Sequence, residues 1–276
     1  MPMSLDPSIA EGLAKIGHQP DDEIDLGGAA ILSARATRPE PEPEPYLRHL
    51  EQLGDYTEDY ASGALDLDSR HEALVQVIAK RFGYAGTDQS FETLDSANLM
   101  RVIDRRAGLP VALGIIYIDV ARKLGWLACG VDFPGRFLVR LEAENERRII
   151  DPFELGEAVD AQGLRRRLKD LAGDDAELRP SYYGGMSARA VLLRLEENLR
   201  VRLAASQRWK EVADVIERML LIAPEDAELW REQGMVQARL DRVHAAITSL
   251  EESLKRCTED PARYKTSALI QELRQR

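Results

Sequence analysis

The chain has 276 residues, of which 44% are hydrophobic and 31% are charged, and its formal net charge is −11. This length predicts about two domains, and the composition supplies enough apolar residues for a buried core. The negative charge argues against general nucleic-acid binding, which needs a basic face for the phosphates. One basic run, Arg165-Arg166-Arg167, is more typical of a solvated helix face.

Sequence signals for a disulfide framework, a metal site, a cofactor or export are missing. Cys129 and Cys257 lie far apart, which fits neither a disulfide framework nor the spacing of zinc ligands. The chain has no P-loop, no Gly-x-Gly-x-x-Gly and no typical pair of catalytic acids, so we expect no cofactor and no metal. The N-terminus lacks a basic segment followed by an apolar core, so we expect no secretory signal and a cytoplasmic protein.

The first third of the chain alternates helical patterns with turns. Residues 1–23 contain few large apolar side chains, and we expect a weakly ordered lead with at most one helical turn. Apolar spacing then predicts four helices, at 24–34, 46–53, 69–82 and 98–106. The segment 39–45 alternates proline and glutamate, but it is only seven residues long and runs directly into a helix. We interpret it as a stiff turn inside one domain instead of a domain linker.

The most apolar predicted helix spans residues 110–124. Gly108 breaks the preceding helix, Pro110 suits a first helical turn, and Gly125 is a suitable C-cap. A helix that is apolar on nearly every side belongs inside a domain, and this one is too short to cross a membrane. In cysteine-nucleophile enzymes the reactive thiol sits at the start of such a helix, where the dipole favours the thiolate. Here that start contains no nucleophile.

After Gly125 the pattern changes from helices to short strands. Residues rich in strand formers predict strands at 126–132, 136–141 and 148–150, with a polar hairpin tip at 142–147. Three short strands after several helices indicate an α+β domain. A further helix is predicted over 157–171.

The last third of the chain predicts helices only. They are expected at 188–204, 209–222, 227–240, 244–256 and 262–273, after a hinge at Gly184-Gly185. In a tandem repeat of about 34 residues, Trp230 falls at position 4, Gly234 at position 8 and Leu250 at position 24. One repeat earlier, position 8 is Arg200 instead of a small residue. A tetratricopeptide-like pair of repeats and a plain helical bundle both remain open.

Three segments, in this order and spacing, resemble the SirB-type transglutaminase-like family: 106–113 (RAGLPVAL), 130–140 (GVDFPGRFLVR) and 150–153 (IDPF). The resemblance covers about 24–272. It implies an α+β fold in which a papain/transglutaminase-like domain of helices and a short antiparallel sheet is followed by an all-α tetratricopeptide-like module. We therefore expect domains at 24–183 and 187–276.

The resemblance also indicates where a catalytic triad would lie. In active members of the wider superfamily a Cys opens the central helix, a His lies on the next long strand, and an Asp follows on the strand after it. The corresponding residues here are Pro110, Arg136 and Asp151. A guanidinium stays protonated and cannot serve as a general base. Our hypothesis is that Arg136 and Asp151 form a partly buried ion pair, against the alternative that Arg136 is an exposed hairpin residue contributing little.

Three functional hypotheses follow from this pattern. The leading one is a degenerate, non-catalytic domain whose helical repeat module binds a protein or peptide partner, with no nucleic-acid or membrane partner. The second is a thiol-dependent hydrolase or acyl transferase of the same fold, for which Cys129 would be the thiol. The alternative for Cys129 is a small buried strand residue without a chemical role. The third is a regulatory pocket for a small anionic ligand beside Arg136. The sequence predicts neither the partner's identity nor the oligomeric state.

Overall fold

A computed structural model describes residues 5–63, 66–143 and 146–275. The chain divides into two compact units, Pro20–Leu195 and a second unit that combines Met1–Gln19 with Glu196–Arg276. These divisions differ from the expected boundaries at both ends of the transglutaminase-like domain. The N-terminal segment belongs to the unit of the C-terminal helices, which sequence proximity alone could not indicate.

The larger unit begins with a series of helices. They are α2 (Leu26–Arg35), α3 (Glu44–Ala61), α4 (Leu67–Leu74), a π-helical continuation (Val75–Arg81), α5 (Leu99–Arg105), the central helix α6 (Pro110–Lys123) and, after the sheet, α7 (Ala161–Ala172). Every helix predicted before the sheet is present, and α3 extends further in both directions than its apolar spacing indicated.

The central helix α6 is the core of this unit. Its residues from Pro110 to Ala121 are all buried, and it packs on α2 and α3 and on the sheet. Gly114 allows this close approach, because a Cβ atom there would lie 2.4 Å from the Phe137 ring. The expectation of a core helix is thus confirmed.

The sheet is a four-stranded antiparallel meander. Its strands are β1 (Leu127–Phe133), β2 (Arg136–Ala143), β3 (Glu146–Asp151) and β4 (Glu157–Val159), in the order β1-β2-β3-β4. One face packs on α6; the other forms a second apolar cluster with Leu164 and Leu168 of α7. The α+β prediction is confirmed.

Two details of the sheet region differ from expectation. The helix predicted over 157–171 was wrong at its start, because Glu157–Val159 pairs with β3 as a strand and Asp160 then caps α7 through the Gly163 N–H. Residues 144–145 of the predicted hairpin tip lie outside the described residues.

The second unit is all-helical. Its helices are α1 (Pro7–His18), α9 (Trp209–Ile222), α10 (Ala227–Arg239), α11 (Val243–Arg256) and α12 (Asp260–Arg274), and α8 (Ala188–Ala205) spans the division between the units. Gly234 permits α10 and α11 to pack closely, because a Cβ atom there would lie 2.6 Å from Leu250 Cγ. These two residues stand at positions 8 and 24 of the 34-residue register.

Helix α1 corrects the prediction of a weakly ordered lead. Asp6 caps the helix, and Ile9, Leu13 and Ile16 are buried at helical spacing. The helix packs on α9, where Gly17 is required because a Cβ atom would lie 2.2 Å from the Leu221 carbonyl oxygen. Three apolar side chains on one face are enough to order the segment once a neighbouring helix covers them. Within the described ranges, no helix combines the length and the apolar character needed to cross a bilayer.

Candidate functional site

The carboxylate of Asp151 is the meeting point of three elements. Asp151 ends β3 and is completely buried. Its Oδ1 accepts the Phe153 backbone N–H at 3.0 Å, and its Oδ2 accepts Arg136 Nε at 3.1 Å. Arg167 Nη1, from α7, donates to the same Oδ2. Arg136 opens β2, so adjacent strands of the sheet supply the first two charges and a helix supplies the third.

The guanidinium of Arg136 is held by more than this one contact. Its Nη2 donates to Glu154 Oε1 at 2.8 Å, and its Cζ lies 4.8 Å from the centroid of the Phe153 ring. The ion pair hypothesised from the sequence is therefore present. The alternative, an exposed hairpin arginine that contributes little, does not fit these contacts.

Two members of this cluster were missed by sequence reasoning, Glu154 and Arg167. The basic run was interpreted as a solvated helix face, which fits the exposed Arg165 and Arg166 but not the partly buried Arg167. A signal existed: Arg167 lies three residues after the buried Leu164 and therefore shares its face of α7.

Pro110 is connected to the cluster indirectly. It is the first residue of α6 and is buried. The Phe153 carbonyl accepts the Gly86 N–H at 2.9 Å, and the preceding Ala85 pairs with Ala107, three residues before Pro110. The structure thus brings Arg136 and Asp151 into direct contact, while Pro110 reaches them through this bridge.

Tyr117 places a phenol near the same carboxylate. Burial, reinforced by the charge of Asp151, raises the pKa of Tyr117, so the hydroxyl stays protonated at neutral pH. Among the described residues this buried hydroxyl has no hydrogen-bond partner. Gly156, at φ +77°, fits against it, since a Cβ atom there would lie 2.6 Å from the phenol oxygen. A neutral phenol can donate a proton but cannot act as the base of a cysteine triad.

The thiol and imidazole groups of this unit are engaged elsewhere. Cys129 lies on β1 opposite Arg140, and burial raises the pKa of its thiol although Arg140 acts in the opposite direction. His71 Nε2 donates to the Gly156 carbonyl at 2.7 Å, which leaves Nδ1 to accept Arg148 Nη1 at 3.3 Å. Burial also lowers the pKa of His71. Burial therefore favours the uncharged thiol of Cys129 and the neutral imidazole of His71.

His49 of α3 is half-buried. Its Nε2 lies 2.8 Å from the Tyr84 hydroxyl, and burial beside Arg106 lowers the pKa of His49 to about 4. Within the described part of the chain, no group of three or more His, Cys, Asp or Glu side chains is arranged to hold a metal ion.

Comparison with known proteins agrees with this arrangement of a central helix, a sheet and a helical repeat unit. The sequence profile of the transglutaminase-like superfamily matches residues 44–197. The chain belongs to the transglutaminase-like superfamily. A tetratricopeptide repeat profile matches residues 199–271 of this transglutaminase-like protein, which decides against a plain helical bundle.

Relatives of similar length share both halves. Protein SirB1 of Salmonella typhimurium is 29% identical over 213 residues, covering 77% of this chain and 79% of the relative. A UPF0162 protein of Xylella fastidiosa is 28% identical over 243 residues, covering 85% of each chain. The UPF0162 protein YchA of Escherichia coli is 27% identical, covering 84% of this chain and 86% of the relative. The resemblance to SirB-type proteins is confirmed.

Among solved structures, a crystal structure of menin overlays on 96% of this chain and 75% of its own, with 11% identity and a TM-score of 0.36. That similarity is too low to support an argument.

Proposed function

We propose that this transglutaminase-like protein is non-catalytic and acts as a protein-interaction module. The observation that carries the proposal is the guanidinium of Arg136, which contacts Asp151 from the adjacent strand, where the family resemblance implies a histidine. A group that stays protonated cannot take the proton from a thiol. The carboxylate of Asp151, which would orient the imidazole in an active member, instead accepts hydrogen bonds from Arg136 and Arg167.

The competing function is a thiol-dependent hydrolase or acyl transferase that uses Cys129. The thiolate is the nucleophile in such chemistry, so the raised pKa of Cys129 weighs against it. Alkylation with iodoacetamide near neutral pH tests this, with Cys129→Ser to assign the product. We expect Cys129 in the native chain to react much more slowly than in the denatured chain. Fast alkylation with a midpoint shifted to low pH would favour the enzyme.

The third candidate, an anionic ligand bound beside Arg136, has less support. Asp151 and Glu154 accept from two different nitrogens of the guanidinium, and the Phe153 ring covers one of its faces. Little of Arg136 is left to bind a ligand.

The proposed docking surface is a cleft between α10 and α12 of the repeat unit. It has a volume of about 260 Å³, and Leu250, Leu269 and Leu273 form its apolar wall. Met235 borders it with 39% of its surface exposed. Arg239, whose guanidinium lies 4.1 Å from the Trp209 ring centroid, and Glu272 add one charge of each sign to the lining. These features suit a peptide segment of a partner protein that presents an apolar side chain flanked by polar groups.

Site-specific photo-crosslinking tests this surface. A photoreactive amino acid would replace Met235 in the cleft and, as the matched control, Thr248, which is exposed on α11 outside it. In cells that naturally contain the protein, we expect a crosslinked product of defined mass from position 235 only. An unlabelled Met235→Glu chain should fail to compete for that product, whereas Thr248→Glu should compete fully. Equal products from both positions, or none from position 235, would contradict the proposal.

A further inference from the structure

A second cavity lies on the side of the sheet that packs on α7. Its volume is about 730 Å³, within the range of about 300–1,000 Å³ that small-molecule sites occupy. Strands β2, β3 and β4 and the first turns of α7 line it, together with the segment that precedes α8. Arg136 and Asp151 are not among its lining residues, so it differs from the site already described.

The lining of this cavity is rich in arginine. Arg140 is fixed in place: its Nη1 donates to the Tyr183 carbonyl at 3.1 Å, and its Nε lies 2.6 Å from Glu142 Oε1. Arg147 on β3 and Arg165 on α7 also line the cavity, and both side chains are exposed. Such a concentration of cations in a chain of net charge −11 needs an explanation.

The lining contains four arginines and one carboxylate. Asp160, the one carboxylate in the lining, accepts the Gly163 N–H at 2.7 Å as the N-cap of α7. Arg148 also lines the cavity, but its guanidinium contacts Asp68 and His71, so we do not count it as a ligand-binding group.

The rest of the cavity wall is apolar and aromatic. Ile149, Leu164 and Leu178 line it, and the Arg147 guanidinium lies 5.7 Å from the centroid of the Tyr183 ring. An inorganic anion would leave this wall unused. A planar organic group could instead lie against it, while arginine side chains, whose forked geometry matches phosphate, bind the charged end.

We infer that the transglutaminase-like domain binds an organic phosphate of nucleotide size in this cavity. The phosphate contacts Arg147 and Arg165, and the planar body of the ligand packs against Ile149, Leu164 and Tyr183. This site is independent of the proposed protein-interaction role. It also lies away from Arg136, where the sequence placed an anionic ligand.

Calorimetric titration of the full chain with adenosine and uridine 5′-monophosphates tests the inference, with adenosine and inorganic phosphate as the two half-ligands. We expect both nucleotides to bind with a dissociation constant below about 1 mM. Each half-ligand should bind at least about tenfold more weakly, because it uses only the arginines or only the apolar wall.

Three charge-matched variants locate the site, since each removes one positive charge from an exposed position. Arg147→Gln and Arg165→Gln should weaken nucleotide binding about five- to tenfold, whereas Arg166→Gln, the next residue of α7 but outside the lining, should leave it within about twofold. All three should keep the melting temperature of the unmodified chain. The inference is overturned if neither nucleotide binds, if inorganic phosphate binds as tightly, or if Arg166→Gln weakens binding as much as Arg165→Gln.

Discussion

Asp151 and Glu196 are both carboxylates removed from water, one in each compact unit, but their charges are balanced differently. The buried Asp151 accepts from Arg136 and Arg167, whose side chains are 21% and 27% exposed. Glu196 and Arg218 are only 3% and 4% exposed, and Arg218 donates to Glu196 Oε2 through Nη2 at 2.8 Å and Nε at 3.2 Å. One carboxylate therefore borders water through its partners, and the other lies with its partner inside a core.

The repeat pattern explains why a core contains an ion pair. Glu196 falls at position 4 of the first repeat, where the second repeat has Trp230. Trp230 packs as an aromatic residue and donates its Nε1–H to the Pro224 carbonyl at 2.8 Å. The first repeat fills the same position with a charge and neutralises it with Arg218 from α9. The pair in the repeat is thus a packing element, whereas the Asp151 cluster keeps the water access of a polar site.

The largest effect is expected from Arg218→Met, which leaves Glu196 buried without this guanidinium. Breaking a buried ion pair by removing one partner costs about 3–5 kcal/mol. The free energy of unfolding in urea measures the loss. Arg208→Met is the matched control, because Arg208 pairs with Glu211 at the surface and its removal should cost less than about 1 kcal/mol.

A double variant, Glu196→Leu with Arg218→Met, separates the lost charge balance from lost packing. Replacing a buried pair by apolar residues of similar volume is often neutral or stabilising, so most of the loss should be recovered. If the double variant is as unstable as Arg218→Met alone, the pair does not act as the packing element that the comparison describes.

A smaller effect is expected from Arg136→Ala, about 1–2 kcal/mol, because Arg167 and the Phe153 N–H still contact Asp151. Asp151→Ala should cost more, since it leaves two neighbouring guanidiniums without their shared carboxylate. A double-mutant cycle in urea should give a coupling energy of about 1–3 kcal/mol. Arg166→Ala, exposed on the same helix as Arg167, should stay within about 0.5 kcal/mol of the unmodified chain. Additive losses would show that Arg136 and Asp151 do not stabilise each other.

The parts of this fold that the sequence predicted are those that depend on local pattern. The apolar run of α6 and the strand-forming residues of the first three strands identified these elements, because periodicity and composition are set within each element. The contact between Arg136 and Asp151 was found because the family resemblance placed both residues on adjacent strands. Arg167, which also donates to Asp151, was missed because a run of three arginines on a helix usually forms a solvated face.

The features that escaped prediction depend on pairing between distant segments. Glu157–Val159 is a strand only because β3 lies beside it, and α1 is ordered by a helix some two hundred residues later in the chain. The repeat register identified Arg200 as an irregular residue but not the pair between Glu196 and Arg218. A repeat register compares one position at a time with its expected residue type. Here the charge of Glu196 at one position is balanced by Arg218 at another, which such a comparison does not detect.

A third buried carboxylate, Asp119 on α6, extends the comparison from arginine to lysine. Its Oδ1 accepts the Gly27 N–H at 3.1 Å, and its Oδ2 lies 3.0 Å from Lys123 Nζ. Burial raises the pKa of Asp119, and Lys123 opposes that shift only in part. An asparagine can keep the bond from Gly27, so Asp119→Asn should change the free energy of unfolding at pH 7 by no more than about 1 kcal/mol.

The pH dependence of this variant is the sharper measurement. Because the pKa of Asp119 is raised in the folded chain, the folded state binds the proton more tightly than the unfolded state does. The resulting stabilisation is present in acid and is lost as the pH rises from about 4 towards the folded pKa. The stability of the unmodified chain relative to Asp119→Asn should therefore fall with rising pH.

Asp66→Asn is the control of opposite sign. Hydrogen bonds from Ser69 lower the pKa of Asp66, so the stability of the unmodified chain relative to this variant should rise with the pH. Urea unfolding from about pH 3 to pH 7 measures both slopes, because the change for Asp66 lies mostly below about pH 4. A common sign would mean that Lys123 outweighs the effect of burial on Asp119.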